Sequence, residues 1–263
     1  MFGWWKAAKR RRIIAAAQPA DAATILEESL WQWEFLPAQQ RSSLLDWVRI
    51  FLAEKHWEGC NGLTLQNKHR VVIAGQAALM MSAYPEWYFD NVQSLLVYPE
   101  VYVAEGVTGV IGGTIGMHGQ SARLGEAHYR GPVIINWQDV RRAARGPNYG
   151  HSITVHELAH QIDFVNGRDS DGIPPLPATV NADQWAARFQ EQLQQMRTDV
   201  EEGYDVLIDD YGLQSESELF AVAGEAFFQI PHHLAHYHPE LFVLLLDFYQ
   251  CDWRSWIPKP DDL

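Results

Sequence analysis

Apolar residues recur at helical spacing through much of the chain. Between residues 37 and 57 their spacing is close to 3.6 residues, which predicts an amphipathic helix. From residue 70 to 81 nearly every position is apolar, which predicts a helix buried on all sides. Further helices are predicted over residues 138–144, 182–202, 215–229 and 239–256.

Short runs with strand-like composition lie between the early and the late helical segments. "SLLVYP", "EVYVAEG" and "GPVIINW" have the length and the apolar content of strands. The glycine-rich "GVIGGTIGMHG" lacks the glycine order of a phosphate-binding loop, so it predicts a hairpin or loop. This mixture predicts an α+β fold, in which a small mixed sheet packs with several helices. We expect one domain over residues 21–263, after a basic and aromatic tail over residues 1–20.

The charge of the chain is unevenly distributed. The net charge is −13, but the first twelve residues hold five basic side chains and no acid, which leaves 15 basic against 33 acidic residues elsewhere. Such an acidic body repels phosphate backbones, so we expect no direct binding of nucleic acid. The opening segment suits weak contact with an anionic membrane surface, although a disordered or docked terminus is the favoured interpretation.

Cysteine content and hydropathy limit the cellular locations that the sequence suits. Cys60 and Cys251 are too few for a disulfide framework or a four-cysteine zinc site, so a reducing, cytoplasmic location is expected. No run of about 20 apolar residues is present, and the apolar "IIAAA" is too short for the core of a signal peptide. We therefore expect no transmembrane segment.

The stretch "VHELAHQID" carries the clearest chemistry. On a helix, His156 and His160 project from one face a turn apart, so both imidazoles can reach one metal ion. Glu157 follows the first histidine, where a carboxylate can accept the proton of a metal-held water. With 11 histidines in the chain, a chance HExxH match is expected roughly 0.03 times. The pattern predicts a hydrolytic metal site with three protein ligands and one open position.

Two known patterns fail to supply the third ligand. In HExxHxxGxxH a glycine and a third histidine follow, but Asp163 and Asn166 stand at those positions. A glutamate about twenty residues farther on, the second pattern, is missing from residues 173–187. The ligand is therefore Asp163 itself or an acid farther along the chain.

The remaining acids have more than one interpretation. Asp163 would strain to reach the same ion, so we expect it to hydrogen-bond a histidine, with a solvated acid as an equal alternative. Glu218 and Glu225 share one face of a predicted helix, and this face could meet the ion. However, Ser215-x-x-Glu218 is also a capping-box pattern. The residue pattern alone leaves Glu218 open between metal ligand and helix cap.

A second group of histidines follows Pro231. His232, His233, His236 and His238 could hold another metal ion. An exposed turn is the favoured interpretation of this segment.

Four stretches carry a family resemblance: "HELAHQID…NG", "GPVIINW", "LLVYPE" and "DYGLQSESELFAV". Together they resemble the Mlc titration factor A family of bacterial zinc metallopeptidases, from about residue 35 onward and most strongly between Gly131 and Phe228. The catalytic part is similar to the protease domain of anthrax lethal factor. The resemblance implies a zincin-like fold and a gluzincin-type site, in which a distant glutamate joins the HExxH motif.

The resemblance also implies a role for each site residue. One zinc ion is expected to be held by three side chains: His156, His160 and Glu218. Glu157 is then the general base, and Tyr211, seven residues before Glu218, steadies the oxyanion. Glu225 is a candidate only for supporting the ligands.

The family implies two activities. One is aminopeptidase-like hydrolysis of a peptide or protein substrate, which we expect to pair with an exposed strand edge at residues 133–136. The other is binding of the transcriptional repressor Mlc, which relieves repression of glucose uptake. The alternative function is a non-catalytic protein that sequesters a regulator and carries a structural zinc. Hydrolysis of a non-peptide amide also stays open.

Overall fold

The computed structural model describes residues 2–16, 21–100, 102–103, 110–111, 131–167, 170–261 and 263. Most of the glycine-rich stretch that was predicted to form a hairpin or loop lies outside these residues.

Helices dominate the part of the chain that the structure describes. The α-helices are α1 (Phe2–Ala15), α2 (Ala22–Ser29), α3 (Ala38–Glu54), α4 (Asn67–Met80), α5 (Trp137–Arg145), α6 (Ile153–Asp163), α7 (Ala182–Glu201), α8 (Glu216–Gln229), α9 (Pro231–Tyr237) and α10 (Pro239–Tyr249). Short 3-10 helices cover Trp31–Phe35, Asn148–Gly150, Asp210–Leu213 and Trp253–Ser255.

In the described residues the strands form two separate sheets. They are β1 (His56–Gly59), β2 (Ser94–Tyr98), β3 (Tyr102–Val103), β4 (Val110–Ile111) and β5 (Val133–Asn136). β1, β2 and β5 form a sheet in the order β1-β2-β5, whereas β3 and β4, as far as the described residues go, pair with each other.

Within the described residues the three-stranded sheet is parallel, whereas the sequence predicted a mixed sheet. His56 pairs with Ser94, and Leu95 pairs with Val133, each in a parallel ladder. α4 lies between β1 and β2 in the chain, and such a helical crossover returns the chain to start the next strand in the same direction. β3 and β4 pair antiparallel, with Tyr102 opposite Ile111.

α4 confirms the prediction of a helix buried on all sides. The ten residues from Val71 to Met80 are all buried. The helix packs against α2, α3, α5 and α6, so apolar side chains on every face find a partner. It provides one wall of the core on which α6 rests.

Two predicted helices end earlier than their patterns indicated. The helix predicted over residues 37–57 ends at Glu54, since the chain then enters β1, whose residues "HWEG" give little strand signal. The helix predicted over residues 239–256 ends at Tyr249, because Gln250 adopts a left-handed conformation with φ 53°. Tertiary pairing and one backbone conformation thus fix these boundaries.

The opening segment forms a helix that packs against α3. The Arg10 guanidinium lies 2.7 Å from the Glu54 carboxylate, and Arg49 donates a hydrogen bond of 3.1 Å to the Ile14 carbonyl. The division between a tail and a domain at residue 20 stays a prediction. In the described part of the chain, no helix is both long enough and apolar enough to cross a bilayer.

Candidate metal centre

The centre is built between two packed helices, α6 and α8. Leu158, Ala159 and Ile162 of α6 are fully buried and fix this helix in the core, where it also contacts α4 and β5. His156 and His160 project from α6 toward the first turn of α8. The spacing of four residues therefore places both imidazoles on one face, as the sequence predicted.

Three side chains converge at this contact. The Nε2 atoms of His156 and His160 are 3.2 Å apart. Glu218 Oε2 lies 3.4 Å from each of them. A tetrahedral zinc ion bound at 2.0–2.1 Å holds its ligand atoms about 3.3 Å apart. The triangle of donors therefore has the size that one such ion requires.

The arrangement of hydrogen bonds also fits a cation. Glu225 and Ser217 contact the Nδ1 atoms of His156 and His160, which leaves the Nε2 atoms facing each other and Glu218. Glu218 Oε2 is buried and has no hydrogen-bond partner in the described structure. Acceptor atoms at this separation repel one another unless a positive charge lies between them. The residues present thus suit a divalent metal ion.

The electrostatics of the centre are strongly coupled. Burial alone would raise the pKa of Glu218, but the adjacent imidazoles of His156 and His160 hold it well below its usual value. Burial alone would lower the pKa of His156, but the carboxylates of Glu218 and Glu225 raise it well above its usual value. The site therefore keeps Glu218 ionised and favours positive charge beside it.

Ser215 and the Glu218 carboxylate occupy different places at the start of α8. Its hydroxyl accepts a hydrogen bond of 3.2 Å from the Glu218 backbone N–H, so Ser215 is the N-cap of α8. The Glu218 carboxylate lies beside the two imidazoles instead of returning to the cap. The serine half of the capping pattern is therefore present, and the role of Glu218 as a metal ligand stays a prediction.

Glu225 supports His156 from the far side of the ring. Its Oε1 atom lies 2.9 Å from His156 Nδ1, and its Oε2 atom accepts a hydrogen bond of 2.5 Å from the Ser152 N–H. Glu225 follows Glu218 by two helical turns, so both carboxylates face α6. The contact fixes the ring orientation and leaves Nε2 free to bind metal.

The prediction that Asp163 hydrogen-bonds a histidine is wrong, and so is the alternative prediction that it is a solvated acid. Asp163 is fully buried, and it accepts hydrogen bonds from Ser170 Oγ (2.7 Å) and the Gly172 N–H (2.9 Å). Ser170 in turn hydrogen-bonds Ser217, which lies 3.1 Å from His160 Nδ1. A chain of contacts through Ser170 and Ser217 thus links Asp163 to His160. The sequence pattern did not predict that either serine belongs to the site.

Gly172 makes this serine bridge possible. It has φ +75°, and a Cβ atom there would lie 2.4 Å from the Glu216 carbonyl oxygen. Only glycine allows the loop after α6 to pass this close to the first turn of α8. The loop therefore locks the start of α8, which carries Ser217 and Glu218, against α6.

The two predicted catalytic side chains flank the three donors. Tyr211 lies in a 3-10 helix that packs on α8, with its ring centroid 6.0 Å from that of His156. Burial and the nearby carboxylates of Glu218 and Glu157 raise its pKa, which keeps the phenol protonated as a donor. Glu157 is half-buried on α6 directly after His156.

The second histidine group does not form a metal cluster in the described residues. The segment after Pro231 is helix α9, not the exposed turn that was expected. His232 Nε2 contacts the Ile257 carbonyl at 2.8 Å, and His238 accepts a hydrogen bond of 3.3 Å from the Leu207 N–H. Among the residues that the structure describes, one group combines three possible ligands within 4.8 Å of one another: His156, His160 and Glu218.

The site combines an HExxH helix with a glutamate from a second helix, within an α+β fold. This arrangement places the protein in the class of metal-dependent hydrolases. The model of the glucose-regulated metallo-peptidase M90 family matches residues 4–250, and the chain belongs to this family. The resemblance inferred from the motifs is thereby confirmed. The match begins well before residue 35 and includes most of α1.

Several relatives are similar over most of the chain. "Uncharacterized protein slr2042" of Synechocystis sp. is 28% identical over 246 residues, covering 93% of this chain and 89% of that protein. Proteins named "Mlc titration factor A" from Yersinia pestis (strain Pestoides F) and Yersinia pseudotuberculosis serotype O:1b are each 28% identical over 223 residues. Those two alignments cover 82% of this chain and 78% of each relative.

Proposed function

We propose that this metallopeptidase is zinc-dependent, with a zincin-like, gluzincin-type site, and cleaves peptide bonds by adding an activated water to the carbonyl. The observation that carries the proposal is the triangle of donors, in which two imidazole nitrogens and one carboxylate oxygen lie 3.2–3.4 Å apart. Three protein ligands leave one coordination position for water or substrate, as catalytic zinc sites require.

The donor set favours zinc as the single resident ion. Two neutral imidazoles and one carboxylate are common ligands of catalytic zinc, whereas magnesium and calcium prefer oxygen ligands alone. When bound, zinc supplies a Lewis acid that polarises the substrate carbonyl and acidifies the attacking water. His156, His160 and Glu218 would hold the ion, and Glu225 and Ser217 orient the two rings.

Glu157 and Tyr211 would carry out the proton transfer and the charge stabilisation. Glu157 takes a proton from the attacking water and delivers it to the leaving amine nitrogen as the C–N bond breaks. The Tyr211 phenol donates a hydrogen bond to the oxygen that becomes negative when water adds to the carbonyl. Its raised pKa supports this role, because the donor keeps its proton at neutral pH.

The peptide would lie along β5. This strand pairs with β2 on one side, and no strand of the described residues pairs with its other side. β5 also contacts α6, so a peptide aligned on this edge would pass near the donors. Pairing through backbone groups would give little selection among side chains.

The finer assignments rest on the family and on the relatives. The family resemblance supports an aminopeptidase-like specificity and an Mlc repressor as partner, and the name "Mlc titration factor A" of the Yersinia relatives supports an Mlc-like partner. A cytoplasmic location rests on the low cysteine content alone. The competing function is that of a regulator-sequestering protein in which zinc is structural. The site geometry favours hydrolysis, because Glu157 and Tyr211 surround the donors although neither is needed to hold a structural ion.

Metal analysis with Glu157→Gln tests the proposal. The purified chain is expected to contain about one zinc ion and to hydrolyse chromogenic peptides until it is chelated. Glu157→Gln should keep its fold and zinc but lose about 10²–10⁴-fold in kcat, because the general base is gone. Glu202→Gln, an exposed change of the same kind, is the control.

The outcomes separate the two functions. If Glu157→Gln keeps its zinc and its full effect on the repressor's target genes, the sequestering function is preferred. If it retains wild-type peptide hydrolysis, the assigned base is wrong. Substrates with a blocked N-terminus distinguish exopeptidase from endopeptidase action.

A further inference from the structure

α1 has two faces with different chemistry. On its inner face, Arg10 contacts Glu54 and Asp90, and Ile13 and Ile14 pack against the core. These contacts fix the rotation of the helix on α3. The residues of the opposite face are therefore held outward as a group.

The outer face of α1 combines aromatic and basic side chains: Trp4, Trp5, Lys9, Arg11 and Arg12. Trp5, Lys9 and Arg12 follow the spacing i, i+4, i+7, and Trp4 and Arg11 lie beside them at i, i+7. The two indoles are 67% and 68% exposed, which is unusual for tryptophan in a packed protein. Their ring centroids are 5.5 Å apart, so they form one continuous aromatic patch.

The basic residues of the outer face differ in their ion pairs from those of the inner face. Lys6 and Arg10 form ion pairs with body acids, whereas Lys9, Arg11 and Arg12 form no ion pair with the residues that the structure describes. The chain as a whole has a net charge of −13. Three cations that have no ion pair among the described residues are thus gathered on one face of an otherwise acidic protein.

We propose that the outer face of α1 docks on an anionic lipid bilayer, with the helix axis parallel to the surface. Indole rings prefer the boundary between headgroups and acyl chains, and arginine and lysine beside them pair with lipid phosphates. Charges beyond about 8 Å are largely screened at physiological ionic strength, so acidic residues farther than this from the docked face oppose contact only weakly. Neither the family assignment nor the metal centre is needed for this role.

The geometry favours a bilayer over nucleic acid. A nucleic-acid site combines a basic groove that follows the phosphate backbone with aromatic rings on which separate bases stack. Here the two indoles contact each other edge-on, at an interplanar angle of 79°, on a convex helix. Such a patch suits insertion into a headgroup layer.

Vesicle co-sedimentation of the full-length protein tests the docking surface. Vesicles of phosphatidylglycerol and phosphatidylcholine should pellet the protein, whereas phosphatidylcholine alone should pellet at least about tenfold less. Trp4→Ala/Trp5→Ala and Lys9→Gln/Arg11→Gln/Arg12→Gln should each reduce binding at least about tenfold, and raised salt should reduce wild-type binding.

Matched controls alter exposed residues elsewhere. Tyr204→Ala/Tyr237→Ala removes two exposed aromatics, and Lys68→Gln/Lys259→Gln removes exposed charge. Both variants should bind vesicles like the wild type.

Three results would overturn the proposal. They are no pelleting by anionic vesicles, equal loss in the control variants, or release from vesicles by a single-stranded oligonucleotide that binds the same face more tightly. Circular dichroism of each variant excludes unfolding as the cause of a loss.

Discussion

The metal centre and the outer face of α1 place similar charged groups in opposite surroundings. Glu218 and Glu225 lie between two helices, where each carboxylate is within 3.4 Å of an imidazole nitrogen. Lys9, Arg11 and Arg12 extend into solvent from one side of a helix. Charge interacts strongly in the first setting because little water screens it, and weakly in the second.

This difference determines how each region responds to change. In the metal centre one altered atom leaves a buried partner unsatisfied, so single substitutions have large effects. On α1 several groups must act together, because each exposed charge contributes little alone. Substitutions in both regions can therefore test the contrast.

The largest effect is expected at the third donor. Glu218→Gln retains the shape of the side chain but removes the charge that faces both imidazoles. Metal affinity should fall by more than about 100-fold, beyond the range for residues that only support a ligand. Competition with a chelator of known affinity measures it. Glu216→Gln on the same turn is the control, and unchanged affinity in Glu218→Gln would exclude Glu218 as a ligand.

A smaller effect on chemistry alone is expected at Tyr211. Tyr211→Phe removes one hydrogen-bond donor from the site, so kcat should fall about 10²–10³-fold with little change in KM. Zinc content should stay at the wild-type level. Steady-state kinetics with metal analysis check this, with the exposed Tyr204→Phe as control. Loss of zinc in Tyr211→Phe would mean that the phenol supports the ligands instead.

Glu225→Gln tests support of a ligand from behind. One of its two accepting oxygens becomes an amide donor facing either His156 or the Ser152 N–H, so the ring is held less firmly. Metal affinity should fall about 10–100-fold. Chelator competition measures this loss against the same Glu216→Gln control. A loss as large as that of Glu218→Gln would remove the distinction between ligand and support.

The smallest effects are expected on α1, where its two faces can be compared directly. Arg10→Ala leaves the mostly buried Glu54 carboxylate without its partner and should lower the free energy of unfolding by about 1–3 kcal/mol. Arg12→Ala, on the outer face, should change it by less than about 0.5 kcal/mol. Urea denaturation measures both. Equal effects would show that α1 is not anchored through its inner face.

Much of the fold could be predicted because its signals are local. The buried helix α4 and the strand β2 follow from runs of apolar residues, and both lie where the patterns placed them. β1 was missed because its four residues are half exposed and gain their strand conformation by pairing with β2. α9 was predicted to be a turn because its histidines make the segment polar, although Leu234 is buried in the structure.

The candidate site divides in the same way. The pairing of His156 with His160 was predictable from the helical repeat alone. Asp163 was assigned the wrong partner, since its route to His160 passes through Ser170 and Ser217, which come together only when the loop closes on α8. The metal-binding and catalytic roles of these residues stay predictions for the experiments above.

By itself, the sequence determined the periodic features: the helix that presents two imidazoles, the apolar core segments and the basic character of α1. Only the tertiary structure decided that Glu218 faces those imidazoles, that Glu225 holds His156 from 69 residues away, and that the tryptophans of α1 face outward. The physical reason is the distance along the chain over which each interaction acts. Helical spacing is set by neighbouring peptide units, whereas the meeting of distant side chains depends on how whole helices pack to bury their apolar faces.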